Sequence, residues 1–192
     1  MISNQAKTGF DHLLSRALQS SLTGSSGNSC EVSIVPDLSD IEENRIVVLT
    51  ISSYLFRLMV MIYFTPDEKT KSYFAGMNGM QPAEMGEQAF QDAIAECGNI
   101  CCGILNRDLG AFFPHIGMST PNMMDRHCAS YLGMLNCDHI QHFQADVRSD
   151  SQDEPQDGSR FYVTLCVSAY ANLDFAVDTN EESEATGELE MF

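Results

Sequence analysis

Between residues 87 and 106 the chain reads EQAFQDAIAECGNICCGILN, and three of its side chains could act together: Asp92, Glu96 and Asn99. Their separations of four and three residues are helical spacings. At about 100° per residue, with Asp92 at zero, Glu96 falls at about 40°, Asn99 at about −20°, Gly103 at about 20° and Asn106 at about −40°. These five residues share one narrow polar stripe. Phe90, Ile94, Cys97, Cys101, Ile104 and Leu105 lie on the other side, which is expected to pack into the core. Ala95, Cys102 and Gly103 are small and would leave the polar face nearly flat. Glycine inside a helix costs about 1 kcal/mol against alanine, so Gly103 suggests that something must come close there.

The chemistry open to such a stripe is narrow. It has no serine or cysteine nucleophile and no histidine. An ordinary carboxylate is a weak base at neutral pH. A carboxamide, however, can hold a water by accepting from it or donating to it, and a glutamate one turn away can pair with a cation. That equipment suits a substrate already activated and lacking only a water in line. The plain alternative is a helix face that only meets solvent.

The elements that must carry this stripe can be traced along the chain. Phe10, Leu13, Leu14, Ala17 and Leu18 repeat at helical spacing, which predicts a helix over residues 4–21; LTGSSGNS ends it. EVSIVPDL reads as a short strand cut by Pro36. RIVVLTISSYLFRLMVMIYFT predicts a hairpin, 45–51 and 54–65, with a turn at Ser52 and Ser53. Residues 66–82 read as a polar connector, and the striped helix as 82–107. The segment 108–133 is irregular. HIQHFQADV and RFYVTLCVSAYANL read as a second antiparallel pair joined by the acidic loop 148–160. Hairpins plus separate helices predict an α+β domain, an antiparallel β-sheet with long helices packed on it. We read residues 1–175 as a single domain and 176–192 as an acidic tail expected to be disordered.

Composition narrows the partners. The 192-residue chain is 44% hydrophobic and carries a formal charge of −17. Residues 146–192 hold twelve acids and two bases, a net of −10. So acidic a chain repels phosphate backbones and anionic lipid, which argues against nucleic acid and membrane partners. The opening residues do not read as a secretory signal, and the seven cysteines are expected to be reduced thiols of a cytoplasmic protein. Cys97, Cys101, Cys102, His127, Cys128, Cys137 and His139 lack the C-x2-C pairing of a zinc site, so no metal is expected on this chain. His115 and His142 accompany no nucleophile motif. The methionines read as core filler, with Met118, Met123 and Met124 flanking Pro121.

Asp92-x3-Glu96-x2-Asn99, followed after twenty-one residues by Pro121, resembles the signature of the CheC/CheX/FliY phosphatases of bacterial chemotaxis. ECGNICCG is similar to the E-x-GN-I-x-x-G of that family, and MSTPNMM stands where the family has its apolar-flanked proline. The resemblance spans about residues 8–175. Only one motif is present; the first helix offers Asp11 but no Glu/Asn pair, so the chain resembles the single-site CheX type. The loop 148–160 and the acidic tail depart from the family pattern.

The resemblance implies a CheC/CheX-like fold and an aspartyl-phosphate phosphatase acting on a phosphorylated CheY-like response regulator. It implies Asn99 and Glu96 as the catalytic residues, Asn99 orienting the attacking water and Glu96 pairing with the regulator's lysine. Asp92, Gly103 and Pro121 would serve partner binding. Mg2+ would be held by the regulator and no cofactor by this chain. A homodimer through sheet edges is also implied, for which RFYVTLCVSAY reads as an exposed edge. The runner-up is a non-catalytic CheC/FliM-like binding module in a signalling or flagellar switch complex.

Overall fold

The computed structural model describes residues 1–24, 28–149 and 158–178. Its centre is one seven-stranded antiparallel sheet. The strands are β1 (Asn28–Val35), β2 (Arg45–Ser52), β3 (Phe56–Phe64), β4 (Gly117–Met118), β5 (Asn122–Asp125), β6 (His139–Ser149) and β7 (Ser159–Ala169). Their order across the sheet is β1-β6-β7-β3-β2, with β4 and β5 both pairing to the far side of β2. The two hairpins expected from the sequence are joined through β3 and β7.

Alternation along the strands sorts side chains onto two faces. From β2, Val47, Leu49 and Ile51 point into the main core, whereas Ile46 and Val48 enter a smaller cluster on the other face with Met61 and Tyr63. The long helices cover most of the main face: α1 (Asn4–Thr23) against β1 and β6, and α3 (Glu87–Leu109) against β2, with the helices also touching each other. Ser3 caps α1, its hydroxyl accepting from Ala6 N at 3.0 Å. The expected helix buries Phe10, Leu13, Leu14, Ala17 and Leu18 as its periodicity requires. The segment after β7 closes the end of this core. Leu173 is buried, and the Phe175 ring lies 5.0 Å from those of Phe10, Phe112 and Phe113.

Four expectations need correction. Residues 66–82 are not a connector alone: α2 (Glu68–Met77) occupies most of them, capped by Asp67 accepting from Thr70 N at 2.8 Å and anchored by buried Phe74 and Ala75. The striped helix starts at Glu87 rather than at residue 82, because Pro82–Glu84 forms a separate 3-10 turn and Gly86 caps the helix. The segment 108–133 contains β4, β5 and the start of a 3-10 helix, Arg126–Leu135. Strand β7 is no edge, since β6 and β3 flank it. Among the described residues the outer edges belong to β1 and to the β4–β5 segment. Most of the acidic loop, and the tail from residue 179 onward, lie outside the described residues.

Candidate functional site

Helix α3 sits where its sequence pattern puts it. Phe90, Ile94, Cys97, Cys101 and Leu105 are buried, and Phe90 meets the rings of Phe64 and Phe74 edge-on at 5.9 and 6.0 Å. The helix ends at Gly110, whose N–H donates to the carbonyls of Asn106 and Arg107. Gly98 lets the helix settle on β2: a Cβ there would stand 2.9 Å from Leu49 Cδ1. That close seating fixes which side of the next residue, Asn99, faces out.

The outer face carries the expected stripe. Asp92 and Glu96 are exposed and Asn99 is half-buried. Asn99 Nδ2 donates to Glu96 Oε2 at 3.4 Å, and Gln88 Nε2 donates to Asp92 Oδ1 at 2.8 Å. A Cβ at Gly103 would meet nothing within 4 Å, so the surface beyond Asn99 is open. Asn106 differs from expectation: its Oδ1 is buried and no hydrogen-bond partner among the described residues reaches it, so the open stripe runs from Asp92 to Gly103. Cys102, expected on the flat polar side, is buried too; α3 is covered by α2 and β4 as well as by β2 and α1.

Pro121 lies one strand out from β2. Met118 pairs with Ile51 and Asn122 with Val48, so three residues, Ser119, Thr120 and Pro121, stand opposite two, Thr50 and Leu49. This is a bulge. Ser119 bridges it, its N–H donating to Thr50 O at 2.8 Å and its Oγ accepting from Thr50 N at 3.0 Å. Proline has no N–H to give a ladder, and it is tolerated at such an edge bulge. Strand β4, which leads into the bulge, also packs against α3.

Helix α1 carries no second stripe. At the spacing that gives Asp92, Glu96 and Asn99 in α3, it has Asp11, Ser15 and Leu18. Leu18 is buried, and Asp11 Oδ1 lies 2.7 Å from His139 Nε2 on β6, both side chains nearly covered. The buried thiols of α3 are packing. Burial pushes Cys97 and Cys102 up to about 12, leaving no thiolate at neutral pH.

Ile100, a member of the ECGNICCG motif, was given no role from the sequence. It lies one turn beyond Glu96 and is 45% exposed, an apolar side chain on the outer surface of the helix. Its i+4 spacing from Glu96 was the available signal. Met123, paired with Val47, is exposed on the same face of the sheet. A groove of about 580 Å³ opens on the opposite face, lined by Tyr63, Arg126 and His142 among others, and includes no stripe residue. The stripe itself is a convex helix surface. It suits insertion into a partner's concave site better than capture of a small molecule.

No family model matches the sequence, and no curated protein does. The fold does have matches among solved structures. CheX from Vibrio vulnificus aligns with a TM-score of 0.59 and 14% identity over 83% of this chain and 99% of that one. A CheC-like superfamily protein from a Shewanella species gives 0.58 and 13% over 83% and 97%. The match to the CheX–CheY–BeF3–Mg2+ complex from Borrelia burgdorferi gives 0.54 and 15% over 83% and 96%. The chain thus has the fold of the CheC, CheX and FliY proteins of chemotaxis.

Proposed function

We propose that this chain is a CheX-type phosphatase that hydrolyses the phospho-aspartate of a CheY-like response regulator in the cytoplasm. The observation that carries the reading is the placement of Glu96 and Asn99 side by side on one open helix face, with Gly103 bare beyond them. The CheX–CheY complex with the same fold supports the choice of partner.

In this reading α3 enters the regulator's phosphorylation site. Glu96 pairs with the regulator's lysine and fixes the docking angle. Asn99 holds a water in line with the phosphorus. The new bond joins water oxygen to phosphorus, and the bond from phosphorus to the aspartyl oxygen breaks. The products are a free aspartate carboxylate and inorganic phosphate, and the water's protons pass to phosphate and solvent. The acyl phosphate is already activated, so alignment and electrostatics supply the acceleration without a strong base. Mg2+ belongs to the regulator's own acidic residues and supplies charge neutralisation there. Asp92 and Gly103 serve the docking surface, and Pro121 shapes the edge beside it.

Phosphate release from a CheY-type receiver charged with acetyl phosphate tests the reading. The wild-type chain should accelerate release. Asn99→Ala should abolish the acceleration, retain receiver binding, and change stability by no more than about 0.5 kcal/mol, as expected for a surface truncation. Wild-type rates in the variant would refute the role of Asn99. Receiver binding without any acceleration by the wild-type chain would favour the non-catalytic binding module.

A further inference from the structure

We propose that Glu96 is also a positioning residue for Asn99: its carboxylate selects which end of the Asn99 carboxamide meets the attacking water. This rests on the phosphatase reading and gives Glu96 a task beyond pairing with a lysine. An ionised carboxylate only accepts hydrogen bonds, so of the two ends of the carboxamide only Nδ2 can face it. The contact is that one, Nδ2 to Glu96 Oε2 at 3.4 Å. One of the two N–H groups on Nδ2 is held by Glu96, which turns the nitrogen end along the helix and leaves Oδ1 as the end presented to water.

The choice of end has a chemical consequence. A water that donates O–H to Oδ1 keeps its oxygen lone pairs for phosphorus. A water held by Nδ2 spends a lone pair on accepting that hydrogen bond and is a poorer nucleophile. Glu96 therefore turns a residue that could hold water in either sense into one that holds it for attack. The two tasks of Glu96 are compatible, because a carboxylate has two oxygens and about four acceptor sites. Oε2 serves Asn99 while Oε1 remains for a lysine ammonium.

The free chain shows only the beginning of this device. A separation of 3.4 Å exceeds the usual 2.7–3.2 Å of N–H···O bonds, and Glu96 is exposed, so solvent competes with the contact. Covering the stripe with a receiver removes that water and strengthens a charge-assisted bond. The orientation is thereby locked when substrate is present.

The test has two arms. In 15N-labelled protein, the Asn99 side-chain amide, assigned by its disappearance in Asn99→Ala, should show one proton shifted downfield. Glu96→Gln, whose amide oxygen can still accept, should keep part of that shift, and Glu96→Ala should lose it. With the acetyl-phosphate-charged receiver at saturation, kcat should fall in the same order, by on the order of tenfold for Glu96→Ala. Asn99 resonances unchanged in Glu96→Ala would overturn the proposal, as would a rise in KM alone with kcat intact. A wild-type chain inert toward the receiver would instead refute the phosphatase reading, and the resonances would still decide the orientation.

Discussion

Gly98 rests against Leu49 so closely that a Cβ at position 98 would stand 2.9 Å from Leu49 Cδ1 and 3.1 Å from Val47 Cγ1. At that point α3 meets β2 through bare backbone, and the next residue along, Asn99, is turned outward. The candidate chemistry on one side of the helix therefore depends on the absence of a side chain on the other.

Two glycines in one helix should consequently respond oppositely to alanine. Gly98→Ala gains about 1 kcal/mol of helix propensity but overpacks the core, at a cost of about 1–3 kcal/mol. The net should be a loss of roughly 1 kcal/mol in chemical denaturation. Gly103→Ala meets open space and should gain up to about 1 kcal/mol. It should nonetheless slow phosphate release, because the new methyl stands in the docking surface. A Gly103→Ala chain with full activity would remove Gly103 from that surface. A more stable Gly98→Ala chain would show that the helix can lift from the sheet without penalty.

Salt should separate the wild-type chain from Glu96→Gln. A carboxylate facing a partner ammonium is a screened charge pair, whereas a carboxamide there is not. Receiver affinity of the wild type should fall as salt rises, and Glu96→Gln should start weaker and change little. Parallel salt curves for the two proteins would refute the lysine pairing.

The two ends of the last segment should behave differently on truncation. Phe175 packs on Phe10, Phe112 and Phe113, and a Cβ on Gly9 would clash with it at 2.8 Å. Phe175→Ala should cost about 3 kcal/mol, as large-to-small aromatic changes in packed sites do. Removing residues 179–192, which hold few apolar groups to bury, should leave the melting temperature within a degree or two. A loss of many degrees on that deletion would show that the tail docks.

Most of what positions the stripe was legible locally. The periodicities of α1 and α3 are long and regular, and both helices bury the residues that those periods select. Helix α2 was missed because only Phe74 and Ala75 of its ten residues are buried, too short a signal beside Lys69 and Lys71. Cys102 was misplaced because a helical projection shows angles, while the width of the buried arc depends on how many neighbours cover the helix. The interior position of β7 was likewise invisible. Strand order is settled by long-range pairing, here of β7 with β3 across a hundred residues of chain, and no local pattern encodes it. The hydrogen bond from Asn99 to Glu96 was not foreseen, although their three-residue spacing allowed it.

A homodimer remains the expectation, with the edge reassigned from β7 to β1. Eight residues, Asn28–Val35, present an outer edge with no partner strand among the described residues, and Ile34 on it is 60% exposed. Such edges invite pairing. Light scattering at micromolar concentration should give twice the 21.2 kDa of one chain, and Ile34→Lys should shift the population toward monomer. A stable single-chain mass for the wild type would refute the dimer.

The bulge at Ser119–Pro121 bears on how far such an assembly can grow. It breaks the ladder on the β4–β5 side and places a residue without an N–H where a docking strand would look for one. The sheet is therefore adhesive on one margin and blunt on the other. Two copies joined through like margins bury the adhesive one in both, and nothing equivalent is left to recruit a third. The same proline that borders the striped helix thus acts as a chain terminator for the sheet: it favours a closed pair over an open fibre, even at high local concentration.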